Sequence, residues 1–167
     1  QMANAGDFAV SAWTVGLHNT PLGMAHPDLV VRNAFGDPLW NSLCPAQPEV
    51  QDYLVGLCTD LAANHPLAEI SIETPGWQAF RHGHHHEFEL IELTPRAQIL
   101  LGMCFCPAGR AGAAYAGVDV TALAARTRAE LELFFAEGTE PATDPATDPD
   151  WRAFTAWRIS IVNGLVQ

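Results

Sequence analysis

The chain has 167 residues, the length of one domain that buries about two thirds of the surface its unfolded form exposes. Apolar residues make up 49% of the composition and charged residues 16%, which excludes a disordered chain. The formal net charge is −11 and all 8 cations are arginines, so neither nucleic acid nor an anionic membrane surface is expected as a partner. No apolar run reaches the roughly 18 residues of a membrane span.

The sequence does not indicate a compartment. The 4 cysteines are too few for a disulfide framework, and their spacing suggests no obvious bridges. The chain has no initiator Met and no leader pattern, so it is either cytoplasmic or secreted, and any leader is expected to lie outside this chain. A helical pattern runs to Gln167 without a cap, which predicts that the chain is a piece of a longer protein.

The first half of the chain alternates strand and helix patterns. Residues 8–15 are aromatic and β-branched and predict a buried strand, whereas the Pro- and Gly-rich residues 16–47 are expected to be mostly loop, with at most a helical turn. An apolar stripe at helical spacing predicts a helix over residues 48–64. Residues 68–73 alternate apolar and polar side chains and predict a second strand.

The second half adds one predicted strand and three helices. Residues 74–96 are expected to form a long polar loop, and the apolar run 97–105 predicts a third buried strand. A short helix, a helix capped by Asp119 and a final helix beginning at Asp148 complete the pattern. The acidic stretch 139–150 repeats Pro-Ala-Thr-Asp and is expected to be a loop that need not pack.

This order predicts an α/β fold in which helices cover a parallel sheet. About three parallel strands are visible, too few for a closed domain. We therefore expect residues 1–167 to form one incomplete segment of a larger architecture, either a partial (β/α)8 TIM-type barrel or an open sheet.

Unusual polar residues follow each predicted strand. Because the carboxyl ends of parallel strands share one face, these residues are expected to meet there. After the first strand come His18 and Asn19. After the second come Glu73, Trp77, Arg81, His82, His84, His85, His86 and Glu87, and the third ends in Cys104 and Cys106.

Glu73 ends its predicted strand and is expected to point away from the helix-facing Ile70 and Ile72, into the barrel interior. There it would share a pocket with the histidine-rich loop and the 16–19 turn. One interpretation is a general acid/base or an acceptor for a substrate hydroxyl, since partial burial raises a carboxyl pKa towards neutrality. The other is a carboxylate that caps the loop or pairs with Arg81.

The histidine-rich loop allows three interpretations. Its spacing lacks the helical i, i+4 pattern of a zincin, so a metalloprotease is disfavoured. Two or three of its histidines could bind a divalent metal with Glu73 or Glu87, or they could hydrogen-bond a polar substrate such as a sugar. The third interpretation is a solvated loop.

The cysteines and tryptophans are less specific. Cys58 lies on a helix stripe, Cys44 is distant in sequence from Cys104 and Cys106, and we expect no zinc site and no cysteine nucleophile among them. Three tryptophans lie in or beside the predicted strand ends, either as a platform for sugars or as ordinary core. They are Trp13, Trp40 and Trp77.

Three segments together resemble a family of bacterial (β/α)8-barrel proteins related to glycoside hydrolases. They are NAFGDPLWNSLCPAQPEVQDYLVGLCTDLA, ISIETPGWQAFRHGHHHE and LLGMCFCPAGR, within residues 10–135. The resemblance implies strands three to five of a barrel, with Glu73 at the end of the fourth, a common acid/base position. The last motif commonly reads C-x-C-x-x-C in that family, whereas Gly109 replaces its third cysteine here.

The sequence therefore favours a glycoside hydrolase-like barrel with Glu73 as the catalytic residue or substrate anchor, and a carbohydrate or other small polar substrate. His18, Asn19, Trp77, His82, the loop histidines and Glu87 would shape the sugar site. Glycosidases need two carboxylates, so this chain is not expected to be active alone. The alternatives are a metal-dependent barrel isomerase or hydrolase using the histidine-rich loop, and a carbohydrate-binding barrel without catalysis. No cofactor and no oligomeric state is indicated.

Overall fold

The computed structural model describes residues 8–83 and 92–167. The described chain contains four short strands, six α-helices and one 3₁₀ helix, Phe80–Gly83. The strands are β1 (Ser11–Val15), β2 (Val30–Arg32), β3 (Pro38–Leu43) and β4 (Glu69–Glu73). The helices are α1 (Thr20–Ala25), α2 (Pro48–Asn64), α3 (Pro95–Leu101), α4 (Pro107–Tyr115), α5 (Val120–Glu137) and α6 (Pro149–Leu165).

The strands form two separate two-stranded sheets. Strands β1 and β4 are parallel, with Val15 opposite Glu73, and β2 and β3 form an antiparallel hairpin. The fold is thus mixed α/β, as expected, but the predicted partial TIM-type barrel of about three parallel strands is wrong. In the described residues the parallel sheet is a single pair of strands, and neither of the two sheets resembles the wall of a barrel.

The predicted third strand is a helix. Thr94 accepts a hydrogen bond from the Ala97 amide and Pro95 occupies the first helical turn, so this segment carries a helix start signal. A short, wholly apolar run does not distinguish a buried strand from a buried helix, which is why periodicity alone failed here. Helix α3 ends at Gly102, and Cys104 and Cys106 therefore do not lie on a strand.

The segment expected to be mostly loop, residues 16–47, contains α1 and the β2–β3 hairpin. The Asn19 side chain accepts a hydrogen bond from the Leu22 amide, and Pro21 lies in the first turn of α1. At the hairpin, Asn33 accepts hydrogen bonds from the Phe35 and Asp37 amides. The Asn-rich, Pro-rich composition thus encodes caps and a tight turn rather than irregular loop.

The remaining helices agree with the sequence pattern. Helix α2 spans Pro48–Asn64 as predicted, α5 ends at Gly138 in the left-handed conformation, and α6 is capped by Asp148. The acidic stretch 139–150 differs from expectation because it packs. Pro141 is fully buried, and Thr143 donates hydrogen bonds to the Glu130 carboxylate.

The main hydrophobic core lies among α3, α4, α5, α6 and the β2–β3 hairpin. Phe154 is fully buried there and stacks on Phe105 with ring centroids 5.6 Å apart. A smaller cluster around Leu17 and Leu54 packs α2 against β4, through Ile72, and against the β2–β3 hairpin, through Val30 and Leu43. Within residues 8–83 and 92–167, none of the helices combines the length and apolarity needed to cross a membrane.

Candidate metal centre

Three of the four cysteines meet inside the main core. Cys44 follows β3, Cys104 lies between α3 and α4, and Cys106 is the N-cap of α4. Each of the three residues is at most 1% exposed. The expectation of no zinc site relied on the distance of Cys44 in sequence, and the fold removes that argument by bringing Cys44 to Cys104 and Cys106.

The three sulfurs are spaced for a common ligand. Cys44 Sγ lies 3.5 Å from both Cys104 Sγ and Cys106 Sγ, and the three atoms all lie within 4.8 Å of one another. A disulfide requires about 2.05 Å between sulfurs. Thiolates sharing one tetrahedral zinc ion, with Zn–S bonds of about 2.3 Å, lie about 3.8 Å apart. The observed spacing is thus close to that of a zinc site.

Backbone hydrogen bonds fix the two segments that carry these cysteines. The Cys44 amide donates to the Leu29 carbonyl at 2.8 Å, and the Phe105 amide donates to the Arg32 carbonyl at 2.7 Å. The hairpin thus holds Cys44 directly and the Cys104–Cys106 segment through Phe105. Both anchors are backbone contacts, so the side chains of the three cysteines are held on a rigid frame.

The three thiols differ in acidity. Hydrogen bonds from the Cys104 and Cys44 thiols lower the pKa of Cys106 to about 3, helped by the Gly109 amide that donates to its sulfur at 3.3 Å. Burial raises the pKa of Cys104 to about 11, and hydrogen bonds with Cys104 and Cys106 raise the pKa of Cys44 well above its usual value. One sulfur is therefore a thiolate at neutral pH, and a bound cation would favour ionisation of the other two.

Gly109 borders the sulfur cluster. A Cβ atom at this position would lie 3.5 Å from Cys106 Sγ and 3.8 Å from Cys104 Sγ. A side chain at residue 109 would therefore point towards the sulfurs. With glycine there, the protein offers three sulfur ligands from the described residues and leaves a fourth position to an exogenous ligand.

Glu73 lies at the carboxyl end of β4, and its carboxylate accepts a hydrogen bond from Trp13 Nε1 at 2.9 Å. The indole of Trp13 is 78% exposed, and Glu73 is half-buried. Ile72 packs on the opposite face against the smaller cluster, in agreement with the strand pattern. Trp13 and Glu73 thus form an exposed indole-carboxylate pair on the outer face of β1 and β4.

Of the other predicted site residues, the structure brings His18 and His82 together and places Asn19 at the start of α1. His18 and His82 meet, with His82 Nε2 3.1 Å from His18 Nδ1, whereas Asn19 caps α1 and donates to the Tyr53 hydroxyl at 3.3 Å. The predictions for His84, His85, His86 and Glu87 lie outside the described residues. The strand ends therefore bring the two histidines together, but the cysteines gather elsewhere.

Trp77 packs against α6 rather than among the histidines. Its ring lies 5.9 Å from the Trp157 ring and 4.6 Å below the Arg158 guanidinium. Burial lowers the pKa of Arg158 to about 10, while the Cys104 and Cys44 thiols act in the opposite direction. Arg158 is therefore still a cation at neutral pH.

The sequence contains one local signal for the cysteine cluster, although the spacing between the cysteines does not reveal it. Cys44 and Cys106 each directly precede a proline that opens a turn or helix, Pro45 and Pro107. Both cysteines therefore lie at fixed backbone positions, where a side chain can be held for a ligand. The proximity of Cys44 to Cys106 depends on the β2–β3 hairpin, which the sequence pattern did not indicate.

Comparisons of the chain with models of protein families, with curated proteins and with solved structures found no match.

Proposed function

We propose that this chain is a metal-binding protein in which Cys44, Cys104 and Cys106 hold one zinc ion. The observation that carries the proposal is the convergence of three buried sulfurs, with Cys44 Sγ 3.5 Å from each of the other two and all three atoms within 4.8 Å of one another. In a [2Fe–2S] cluster at most two cysteines bind the same iron and in a [4Fe–4S] cluster only one does, so three sulfurs that all lie within 4.8 Å of one another fit a single ion better. Soft thiolate ligands select zinc or Cu(I), and zinc tolerates the three-sulfur geometry with one added ligand.

The ion would join the β2–β3 hairpin to the start of α4. These parts are distant in sequence, since Cys44 and Cys106 are 62 residues apart. A metal that binds only the folded state stabilises that state by mass action. The fourth coordination position, beside Gly109, would be taken by a small ligand such as water. An open fourth position is typical of catalytic zinc, but the three cysteines are at most 1% exposed and leave a substrate no access, so a structural role is favoured.

The test is metal titration of the full chain. Metal-depleted protein is titrated with Co²⁺, whose thiolate charge-transfer absorption reports sulfur ligands, and bound zinc is counted by elemental analysis. We expect one ion per chain, loss of the absorption in Cys44→Ser and Cys104→Ser, and no change in Cys58→Ser. A wild-type chain that binds no zinc, or a Cys44→Ser variant that binds it as well as the wild type, contradicts the proposal.

A second candidate function is carbohydrate binding at Trp13 and Glu73. The observation that favours it is the exposed indole held by a 2.9 Å hydrogen bond to a carboxylate, since sugars stack on indole rings and hydrogen-bond to carboxylates. Catalysis of glycosidic cleavage needs a second carboxylate placed opposite the first. Binding is therefore favoured over hydrolysis.

The carbohydrate proposal is tested with a panel of soluble oligosaccharides and aryl glycosides. Trp13→Ala should remove binding, whereas Trp40→Ala, another exposed tryptophan on the other sheet, should not. Equal loss in both variants, or no binding to any member of the panel, contradicts this function without affecting the zinc proposal.

A further inference from the structure

Arg158 has no carboxylate partner among the described residues. In the described part of the chain, the ion pairs of arginine involve Arg126 and Arg128, and the hydrogen bond recorded for the Arg158 guanidinium goes to the Met103 thioether. Its Nε atom is buried and has no acceptor. Negative charge at Cys104 and Cys44 raises the pKa of Arg158, but none of the described carboxylates pairs with its guanidinium. The guanidinium therefore keeps N–H donors that no oxygen atom accepts.

A second unpaired donor lies beside it. Trp77 Nε1 is also buried without an acceptor, although its ring is in contact with the Arg158 guanidinium. Buried indole N–H groups usually find a partner. Two neighbouring donors that both lack acceptors point to a ligand that supplies oxygen atoms.

Both residues line a cavity of about 330 Å³ between the loop after β4 and helix α6. Along α6, Thr155, Arg158, Ile159 and Val162 follow the i, i+3, i+4, i+7 spacing of one helix face. This face offers a hydroxyl, a guanidinium and two aliphatic side chains. The volume is at the lower end of the range for small-molecule sites.

We propose that this cavity binds a small organic monocarboxylate, whose carboxylate is held by Arg158 and Trp77 and whose apolar part contacts Ile159 and Val162. A guanidinium matches a carboxylate in a two-point geometry. Among the described residues that line the cavity Arg158 is the one cation, and the chain carries a formal net charge of −11. A doubly charged phosphate is thus less well matched than a monoanion.

This carboxylate site is separate from the proposed zinc site, and the variants that test it leave the three cysteines unchanged. Binding of phenylacetate to the full chain is measured by calorimetry, with phenylacetamide as the neutral isostere and inorganic phosphate as the alternative anion. We expect phenylacetate to bind, and Arg158→Met to weaken binding about 10- to 100-fold, the value of a charge-assisted hydrogen-bond pair. Arg152→Met, at an exposed position of the same helix, should bind as the wild type does.

A spectroscopic measurement covers the case in which Arg158→Met does not fold. In ¹⁵N-labelled wild-type protein, phenylacetate should shift the Arg158 Nε–H and Trp77 indole signals, and phenylacetamide should not. Equal binding of the amide, tighter binding of phosphate, or unshifted Arg158 and Trp77 signals at saturating phenylacetate would overturn the assignment.

Discussion

Cys44 and Cys104 are separated by 60 residues, yet their sulfur atoms lie 3.5 Å apart in the main core. The contact depends on the β2–β3 hairpin, which delivers Cys44 from one side while the Phe105 amide ties the other segment to Arg32. Because the two residues are so distant in sequence, the tertiary fold and not the local sequence brings them together, and both are buried. The chemistry of this pair can be tested through the reactivity of its thiols.

We expect zinc to protect three of the four thiols from alkylation. In the zinc-bound chain, iodoacetamide should modify Cys58, which is half-buried on α2, and leave the clustered cysteines unmodified. After removal of zinc, Cys106 should react first because its pKa is lowered to about 3 and the thiolate is the nucleophile. Mass spectrometry of tryptic peptides measures each site. Equal protection with and without zinc would show that burial, not metal, shields the sulfurs.

Gly109→Cys should strengthen metal binding. A Cβ at this position lies 3.5 Å from Cys106 Sγ and 3.4 Å from the Cys104 carbonyl, which is ordinary contact, so the substitution should not strain the fold. The new thiol would complete a four-sulfur site of the structural zinc type. Competition with a chromophoric chelator should show at least about tenfold tighter zinc binding, a difference of about 1.4 kcal/mol.

Gly109→Ser is the matched control for that variant. It adds a side chain of similar size at the same position but offers a weak ligand for zinc. We expect its zinc affinity to stay close to that of the wild type. If Gly109→Cys and Gly109→Ser bind zinc equally well, the fourth position is not beside residue 109.

Glu73→Gln should separate stability from sugar binding. The Gln carbonyl can still accept the Trp13 indole hydrogen, and the pair lies at the surface, so the free energy of unfolding should change by less than about 0.5 kcal/mol. Loss of the negative acceptor should weaken any sugar binding about 10-fold or more. Should this chain hydrolyse aryl glycosides, turnover would fall by about 10²–10⁴-fold. Unchanged sugar affinity would leave Glu73 without a ligand role.

The sequence predicted those elements whose boundaries carry chemical signals. Helix α2 begins at Pro48, α5 follows the Asp119 cap and ends at Gly138, and each was located correctly because cap and stop residues act locally. These caps and stops depend on neighbours within a few residues. The parallel arrangement of β1 and β4 was expected from the strand–helix–strand order of the chain.

The failures involve contacts that no local pattern encodes. In the β2–β3 hairpin, β2 contains only three residues, and β3 (PLWNSL) begins with a proline and does not alternate apolar and polar side chains. Missing this hairpin also meant missing the position of Cys44, and with it the whole sulfur cluster. For Glu73, the sequence predicted the strand end and the side opposite Ile72 correctly. The expected position inside a barrel is wrong, because the described residues form no barrel and the carboxylate pairs with the exposed Trp13 on the neighbouring strand.

The assignment of residues 95–101 as helix α3 can be tested with two neighbouring positions. Leu100 is fully buried in the main core, whereas Ile99 is 46% exposed. In a central strand covered on both faces, as the sequence predicted, both side chains would be buried and both truncations costly. In the helix, Leu100→Ala should cost about 2–5 kcal/mol of unfolding free energy, the usual cost of a core truncation, and Ile99→Ala less than about 1 kcal/mol. Urea denaturation of both variants with zinc concentration held fixed measures the difference. Equal losses at the two positions would contradict the helix and favour the buried strand.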